Sequence, residues 1–211
     1  NLGRLNDSFC FASETGAFDI IEAQYLREVK PGEMVILDNN GITSMMLDTK
    51  IKETICVFEL IYFSRPDSII FNTSVEKFRF ELGKKLAEEY PVEADVVIGV
   101  PDSSISTAIS YAQHLSIPFG HGLIRSQYIG RTFIEPTQKI RDFGAKIKYN
   151  PISEIVNNKR VVIIDDSIVR GTTSRKIVQM IKNAGAKEIH FRIASPPILS
   201  PCYYGIDTPY R

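Results

Sequence analysis

Two short runs of apolar residues constrain the fold of this chain more than any other feature of its sequence. Residues 96–100 read Val-Val-Ile-Gly-Val, and residues 161–164 read Val-Val-Ile-Ile. Strands that are apolar at nearly every position are typical of a parallel sheet that helices cover on both faces. Helix-compatible segments separate the runs, which gives the alternating rhythm of an α/β domain. We therefore predict a mostly parallel sheet flanked by helices.

This α/β domain is predicted to occupy residues 51–211. Ser74 can cap an amphipathic helix that runs to about residue 90. Further along we predict strand 95–100, helix 103–115, a short strand near 117–124, strand 161–165, helix 174–184 and strand 188–194. Catalytic loops of such sheets follow the carboxyl ends of the strands.

Residues 1–50 show a different sequence pattern. The apolar stretch Met34–Leu37 lies between turn signals at residues 30–33 (Lys-Pro-Gly-Glu) and 39–41 (Asn-Asn-Gly). Short apolar stretches between such turns indicate antiparallel strands. We predict a separate, β-rich element here.

Composition argues against several classes of protein. The 25 basic residues balance the 25 acidic ones, so no overall field attracts nucleic acid or an anionic membrane. No apolar run approaches the roughly 20 residues that span a bilayer, and the N-terminus lacks the order of a signal peptide. We expect a cytoplasmic protein that binds neither nucleic acid nor a membrane. The chain reads like an excised piece of a longer one.

The residues after the second apolar run carry the strongest chemical signal. Asp165 and Asp166 end the strand, and a loop rich in hydroxyl residues leads to Ser174. Its backbone N–H groups, its hydroxyls and the positive end of the next helix suit a phosphate monoester, and Gly171 lets the backbone approach closely. Adjacent carboxylates can bind vicinal hydroxyls and Mg²⁺. Together they predict a ribose 5-phosphate site, although either half alone is common as an acidic strand end or a helix cap.

Val161–Ser174 resembles the phosphoribosylpyrophosphate signature of type I phosphoribosyltransferases. Its Asp-Asp-Ser-Ile-Val-Arg-Gly-Thr-Thr-Ser form is similar to that of the glutamine phosphoribosylpyrophosphate amidotransferase family. Six further segments are similar to family motifs, in family order: residues 11–14, 27–33, 61–68, 100–104, 128–134 and 204–207. The resemblance implies the type I phosphoribosyltransferase fold, preceded by a remnant of an N-terminal-nucleophile glutaminase domain in residues 1–50.

The resemblance also implies an activity. Family members transfer ammonia, derived from glutamine, to C1 of phosphoribosylpyrophosphate, which gives 5-phosphoribosylamine and pyrophosphate in the first committed step of de novo purine synthesis. Asn1 begins the chain and Cys10 lies in a predicted strand region, so we expect no glutaminase nucleophile and at most the use of free ammonia. Homo-oligomers, dimers or tetramers, are expected as well.

Family motifs assign roles to two turns. Asp165 and Asp166 would bind the ribose hydroxyls and Mg²⁺. In the turn after the first apolar run, Asp102, Ser103 and Ser104 would contact pyrophosphate, with Ser103 favoured over Ser104 as a metal-associated hydroxyl. The alternative for this turn is an ordinary helix cap. The 5-phosphate would be held by Ser167, Ile168, Val169, Arg170, Gly171, Thr172, Thr173 and Ser174.

The segment from Arg125 to about Lys148 resembles the loop with which the family closes over its substrate. Within it, Arg131 and Thr132 are predicted to be catalytic. Further cations that could face pyrophosphate, or simply meet solvent, are Lys139, Arg141, Lys146 and Lys148. Residues 125–127 read Arg-Ser-Gln where the family usually has Lys-Asn-Arg, which alters one or two cationic contacts.

Cys56 and Cys202 match two of the four ligand positions of family members that carry a 4Fe–4S cluster. Such a cluster needs four thiolates, and the chain has three cysteines in all, the third being Cys10. The resemblance implies that the other two thiolates lie beyond residue 211 in a longer parent protein, for which the cluster is favoured. For this chain the alternative is a pair of thiols that act as small apolar residues.

Two rival functions share the phosphate loop. A salvage phosphoribosyltransferase should add a hood that recognises a base, and a non-catalytic regulator that senses phosphoribosylpyrophosphate should add a basic DNA-binding helix. The motifs outside the loop argue against the first rival. The neutral charge argues against the second.

Overall fold

The computed structural model describes residues 1–47, 51, 54–126 and 148–204. It forms two compact units, Asn1–Phe78 and a second that begins at Arg79. This division falls within a helix. The sequence predicts a domain boundary near residue 50. A division into compact units does not test that boundary, which stays a prediction.

The first unit is built from short antiparallel strands. One sheet has the order β2-β1-β3, and β4 pairs with β5 in a hairpin. The antiparallel element predicted for residues 1–50 is confirmed. The bounds are β1 Leu2–Leu5, β2 Ser8–Phe11, α1 Gly16–Ile20, β3 Gln24–Arg27, β4 Glu33–Asp38, β5 Gly41–Met46, a π-helical turn Glu59–Phe63, β6 Ile69–Ile70 and β7 Thr73–Ser74.

Glu33 joins strand β3 to the β4–β5 hairpin. Its carboxylate accepts hydrogen bonds at 2.9 and 2.7 Å from the Arg27 guanidinium, one at 2.7 Å from the Lys30 N–H, and one from the Ser44 hydroxyl. Because the bidentate guanidinium and these donors favour the charged form, the pKa of Glu33 falls to about 2.

Replacing Glu33 with Gln should destabilise the protein at neutral pH. The unfolded-state pKa of a glutamate is about 4.3, so its contribution is complete above that pH and disappears as the pH falls towards 2. We expect the denaturant midpoint of Glu33→Gln to lie below that of the wild type at pH 7, with the gap closing towards pH 2. Asp7→Asn, at an exposed turn, is the control and should match the wild type throughout. An unchanged midpoint at pH 7 would contradict the assignment.

The second unit contains the predicted parallel sheet, with the strand order β12-β11-β8. Helices and a short antiparallel ribbon surround it. The bounds are α2 Val75–Glu89, β8 Val96–Gly99, α3 Ile105–His114, β9 Leu123–Arg125, β10 Tyr149–Pro151, α4 Ser153–Val156, β11 Arg160–Asp165, α5 Thr172–Asn183 and β12 Glu188–Ile193.

Strand β11 is buried on both faces, as its apolar run predicts. Val161 and Ile163 pack with Ile177 and Ile181 of α5. The intervening side chains, Val162 and Ile164, belong to the core cluster on the other face, which includes Ala108 and Tyr111 of α3. Successive side chains of a strand point to opposite faces, so a continuous apolar run fills both layers.

Helix α2 begins where its sequence predicts. The Ser74 hydroxyl accepts a hydrogen bond from the Lys77 N–H at 3.3 Å, which satisfies one of the free donors of the first turn. Further along, Gly83 lies against α3: a Cβ there would meet the Thr107 carbonyl oxygen at 2.2 Å. The two helices therefore approach more closely than any side chain at position 83 permits.

The prediction of a strand over 117–124 is wrong in part. Only Phe119 bridges to β8, through hydrogen bonds from Val97 N to Pro118 O and from Gly120 N to Val97 O. Pro118 has no N–H to continue the ladder. Leu123–Arg125 turns instead to an antiparallel pairing with β10.

Among the residues that the structure describes, none of the helices is long and apolar enough to cross a membrane.

Candidate functional site

The carboxyl ends of β8 and β11 lie side by side and place the two predicted turns together. The Val100 N–H donates to the Ile164 carbonyl at 2.9 Å. Residues 101–104 follow one strand, and Asp165 and Asp166 end the other. This edge of a parallel sheet is where α/β proteins bind ligands.

Asp166 links two parts of the site. The hydroxyls of Ser103 and Ser167 donate hydrogen bonds of 2.5 Å to its two carboxylate oxygens. One carboxylate thus connects the turn after β8 with the start of the loop after β11. Ser103 meets Asp166 directly, whereas Ser104 is fully buried.

Asp165 is a buried acid beside a second acid. Its carboxylate accepts a hydrogen bond from the Asp166 N–H at 2.9 Å. Burial, and after it the charge of Asp166, raise the pKa of Asp165 to about 7, against smaller opposing effects of the Asp166 N–H and of Ser104. A divalent cation would relieve both causes, because it supplies the positive charge that this pair lacks.

The raised pKa makes a prediction about stability. The unfolded-state pKa of an aspartate is about 3.9, so between about pH 4 and 7 the native state binds more protons than the unfolded state. Stability in the absence of metal should therefore fall as the pH rises through this window, by at most about 4 kcal/mol.

Asp165→Asn should abolish this fall and be more stable than the wild type at pH 8. Denaturant unfolding at pH 5 and pH 8 in EDTA tests it, with Asp7→Asn as the control that should keep the wild-type slope. Equal stability of the wild type at both pH values would contradict the assignment.

The loop after Asp166 presents donors to solvent. Gly171 has φ of +71°, a conformation that glycine adopts without strain, and the 12-residue helix α5 begins at the next residue. In this part of the described chain, no side chain caps the helix start. Its first N–H groups remain available to an anion. The hydroxyl residues Thr172 and Thr173 are exposed beside them.

A cleft of about 480 Å³ opens beside the turn after β8. Arg125, on β9, donates a hydrogen bond of 2.8 Å to the Asp102 carboxylate at its rim. The peptide bond between Pro101 and Asp102 is cis. The cleft is lined by Pro101, Asp102, Ile105, His121, Leu123, Ile124, Arg125 and Ser126.

Several predicted residues cannot be placed. Arg131 and Thr132, the predicted catalytic pair, lie outside the described residues, as do Lys139, Arg141 and Lys146.

The two predicted cluster ligands are both described. Cys56 is exposed, while Cys202 is half-buried and accepts a hydrogen bond from the Tyr204 N–H at 3.4 Å. Within the ranges that the structure covers, no three His, Cys, Asp or Glu side chains form a metal-binding group.

The model of the phosphoribosyl transferase domain family matches residues 76–194, which include both turns and the loop. The chain belongs to the phosphoribosyl transferase domain family. Its parallel sheet with flanking helices is the type I fold of that family, as predicted.

Individual relatives of this phosphoribosyl transferase domain carry a more specific name. A chloroplastic amidophosphoribosyltransferase of Arabidopsis thaliana is 57% identical over 98% of this chain and 36% of its own length. The amidophosphoribosyltransferase of Bacillus subtilis is 54% identical over 99% of this chain and 44% of its own length. The chain thus spans less than half the length of these relatives.

A solved structure agrees with these relatives. It is the glutamine phosphoribosylpyrophosphate amidotransferase of B. subtilis, in complex with ADP and GMP. The sequences are 55% identical and the TM-score is 0.90, over 98% of this chain and 46% of that one.

Sequence analysis of this phosphoribosyl transferase domain missed two contacts at the site. The Arg125–Asp102 ion pair joins residues that are 23 positions apart, and the Tyr149 hydroxyl reaches the Pro101 carbonyl at 3.5 Å across 48 positions. Periodicity carries no signal for contacts of this range. Both contacts involve the antiparallel pairing of β9 with β10, and β10, which reads Tyr-Asn-Pro, has no apolar run that would have indicated a strand.

Proposed function

We propose that this chain is the phosphoribosyltransferase part of an amidophosphoribosyltransferase, which joins ammonia to C1 of phosphoribosylpyrophosphate. The observation that carries this proposal is the identity of 54–57% with proteins of that name over 98–99% of the chain. Neither a salvage enzyme nor a regulator is supported by comparable similarity. The reaction would be the first committed step of purine synthesis.

The two turns supply the substrate contacts in this proposal. Asp165 and Asp166 bind the ribose hydroxyls and hold Mg²⁺, with the Ser103 hydroxyl beside them. Their buried, hydrogen-bonded carboxylates suit a hard cation that prefers oxygen ligands. The loop of residues 167–174 and the uncapped start of α5 hold the 5-phosphate. Asp102, Ser103 and Ser104 lie along the pyrophosphate group.

Bond cleavage and bond formation both occur at C1 of the ribose. The bond from C1 to the pyrophosphate oxygen breaks through an oxocarbenium-like transition state, and the nitrogen of ammonia bonds to C1 and loses a proton. The bound Mg²⁺ would neutralise charge that develops on the leaving pyrophosphate. No side chain has to act as a covalent nucleophile. Arg131 and Thr132, which lie outside the described residues, remain the predicted catalytic residues.

Properties of the longer protein are part of the same proposal. Ammonia would come from glutamine in a domain of which residues 1–50 are the last strands, and the protein would form homo-oligomers. The chain's three cysteines cannot supply the four thiolates of a 4Fe–4S cluster, so Cys56 and Cys202 would hold one only together with ligands from the longer protein. A cytoplasmic location is expected from the sequence, whereas the Arabidopsis relative is named chloroplastic.

An ammonia-dependent assay of pyrophosphate release tests the proposal. Purified chain, phosphoribosylpyrophosphate and Mg²⁺ should release pyrophosphate in proportion to free ammonia, at a rate that adenine, guanine and hypoxanthine do not raise. Release that requires one of these bases would favour a salvage enzyme. Substrate binding without release under any of these conditions would contradict an active transferase in this chain and point to a truncated or a regulatory protein.

A further inference from the structure

Asp102 places a carboxylate where the proposed function needs cations. Its Oδ2 atom lies 2.8 Å from Nη1 of Arg125, and the side chains are 76% and 43% exposed. Lys148 lies close by: burial, and after it the like charge of Arg125, lower the pKa of its amine, while Asp102 raises it. Two cations and one carboxylate therefore lie close together, and two of the three residues, Asp102 and Arg125, line the cleft.

Arg125 ends β9 and Lys148 directly precedes β10, and the ribbon of these two strands contacts the turn after β8. Arg125 pairs with Tyr149 in the register of the ribbon, and the Ser126 N–H donates to the Lys148 carbonyl at 2.9 Å. Tyr149 is buried, and its hydroxyl reaches the Pro101 carbonyl. The Lys148 amine lies 5.3 Å from the centre of the Tyr149 ring. The position of Arg125 relative to Asp102 is thus set by the ribbon.

A free carboxylate at this turn would repel a pyrophosphate group. Asp165 and Asp166 escape that objection because, in the proposed function, they bind ribose hydroxyls and would hold Mg²⁺. The only hydrogen-bond partner that the described residues give the Asp102 carboxylate is Arg125. The pair is exposed, so it is weak and easily exchanged. An anion with more charge than one carboxylate would compete for Arg125 effectively.

We propose that Asp102 is a built-in counter-ion, which holds Arg125 in the empty protein and gives it up when pyrophosphate binds to Arg125 and Lys148. This inference rests on the proposed function and refines the role of Asp102, which contacts the substrate through its backbone and opposes it through its side chain. The exchange limits the affinity for product pyrophosphate. Release of the product is thereby made easier.

Calorimetric titration with inorganic pyrophosphate and Mg²⁺ tests the inference on four proteins: the wild type, Asp102→Asn, Arg125→Met and the double variant. Asp102→Asn should bind pyrophosphate about three- to tenfold more tightly, because one repulsive charge is removed and Arg125 is freed. Arg125→Met should bind more weakly. In the Arg125→Met background, the gain from Asp102→Asn should largely disappear, since the two side chains act as a pair.

Asp95→Asn is the matched control, because Asp95 pairs with Arg160 at the opposite end of the strands and should leave pyrophosphate affinity unchanged. High salt should shrink the gain of Asp102→Asn. The counter-ion role would be overturned if Asp102→Asn bound pyrophosphate no more tightly than the wild type, or if Asp102→Asn gave an equal gain in the Arg125→Met background. In either case, pyrophosphate binding by the wild type would still support the proposed function. Absence of pyrophosphate binding by every folded variant would overturn both.

Discussion

Replacing both Asp165 and Asp166 with asparagine is expected to abolish Mg²⁺-dependent binding of phosphoribosylpyrophosphate and to leave the fold intact. The two carboxylates provide the negative charge that holds the cation and the acceptors for the ribose hydroxyls. We expect the affinity to fall at least about 100-fold, since two charge-assisted contacts of about 1.5–3 kcal/mol each are lost. Equilibrium binding of labelled substrate measures this directly.

Two properties make that variant informative. Asparagine is nearly isosteric with aspartate, and the Asp166 N–H can still donate to an oxygen at position 165. Removing the buried charge of Asp165 should also stabilise the protein at neutral pH, so lost binding cannot be explained by unfolding. Asp95→Asn, with the same chemical change away from the site, should keep full affinity. Unchanged affinity in the double variant would remove the assignment of the site.

Gly83→Ala is expected to destabilise the protein by about 3 kcal/mol, near the upper end of the usual cost of overpacking. A Cβ at this position would lie 2.2 Å from the Thr107 carbonyl oxygen and 2.8 Å from the Ser110 Cβ, so α2 and α3 would have to separate. The Thr107 hydroxyl, which donates to the Arg79 carbonyl at 3.0 Å, would lose its geometry in the process. Denaturant unfolding at constant pH gives the free energy of unfolding.

The sign of this effect distinguishes helix packing from helix propensity. In an exposed helix interior, replacing glycine with alanine stabilises by up to about 1 kcal/mol. Lys84→Ala, at the exposed neighbouring position of α2, is the control and should change stability by less than about 0.5 kcal/mol. A stabilised Gly83→Ala variant would show that α2 and α3 are not in close contact at this position.

Sequence patterns predicted the elements that depend on residues close together in the sequence. The apolar run at 161–164 identified a strand buried on both faces, and Ser74 identified the start of α2 through its hydroxyl. The acidic pair and the loop up to Ser174 were recognised because one continuous segment carries all of their chemistry. Because β8 and β11 are neighbouring parallel strands, the turn at residues 101–104 lies beside this loop.

Features that depend on tertiary contacts could not be predicted in the same way. The apolar pattern predicted a strand near 117–124, but Pro118 lacks the N–H that would extend its pairing with β8. Leu123–Arg125 pairs instead with β10, which is distant in the sequence. Gly83 looks like a weak helix former until α3 is placed against it. For Asp102, the family motif predicted a contact with pyrophosphate, but only the distance to Arg125 suggests a role for its charge.

Backbone amide NMR during titration with phosphoribosylpyrophosphate and Mg²⁺ tests the location of the site most directly. We expect saturable shifts that are largest for residues 102–104 and 166–174 in the presence of Mg²⁺ and that disappear when EDTA removes the cation. Shifts centred elsewhere in the chain, or no shifts in a folded sample, would contradict the claim that the carboxyl ends of β8 and β11 bind the substrate.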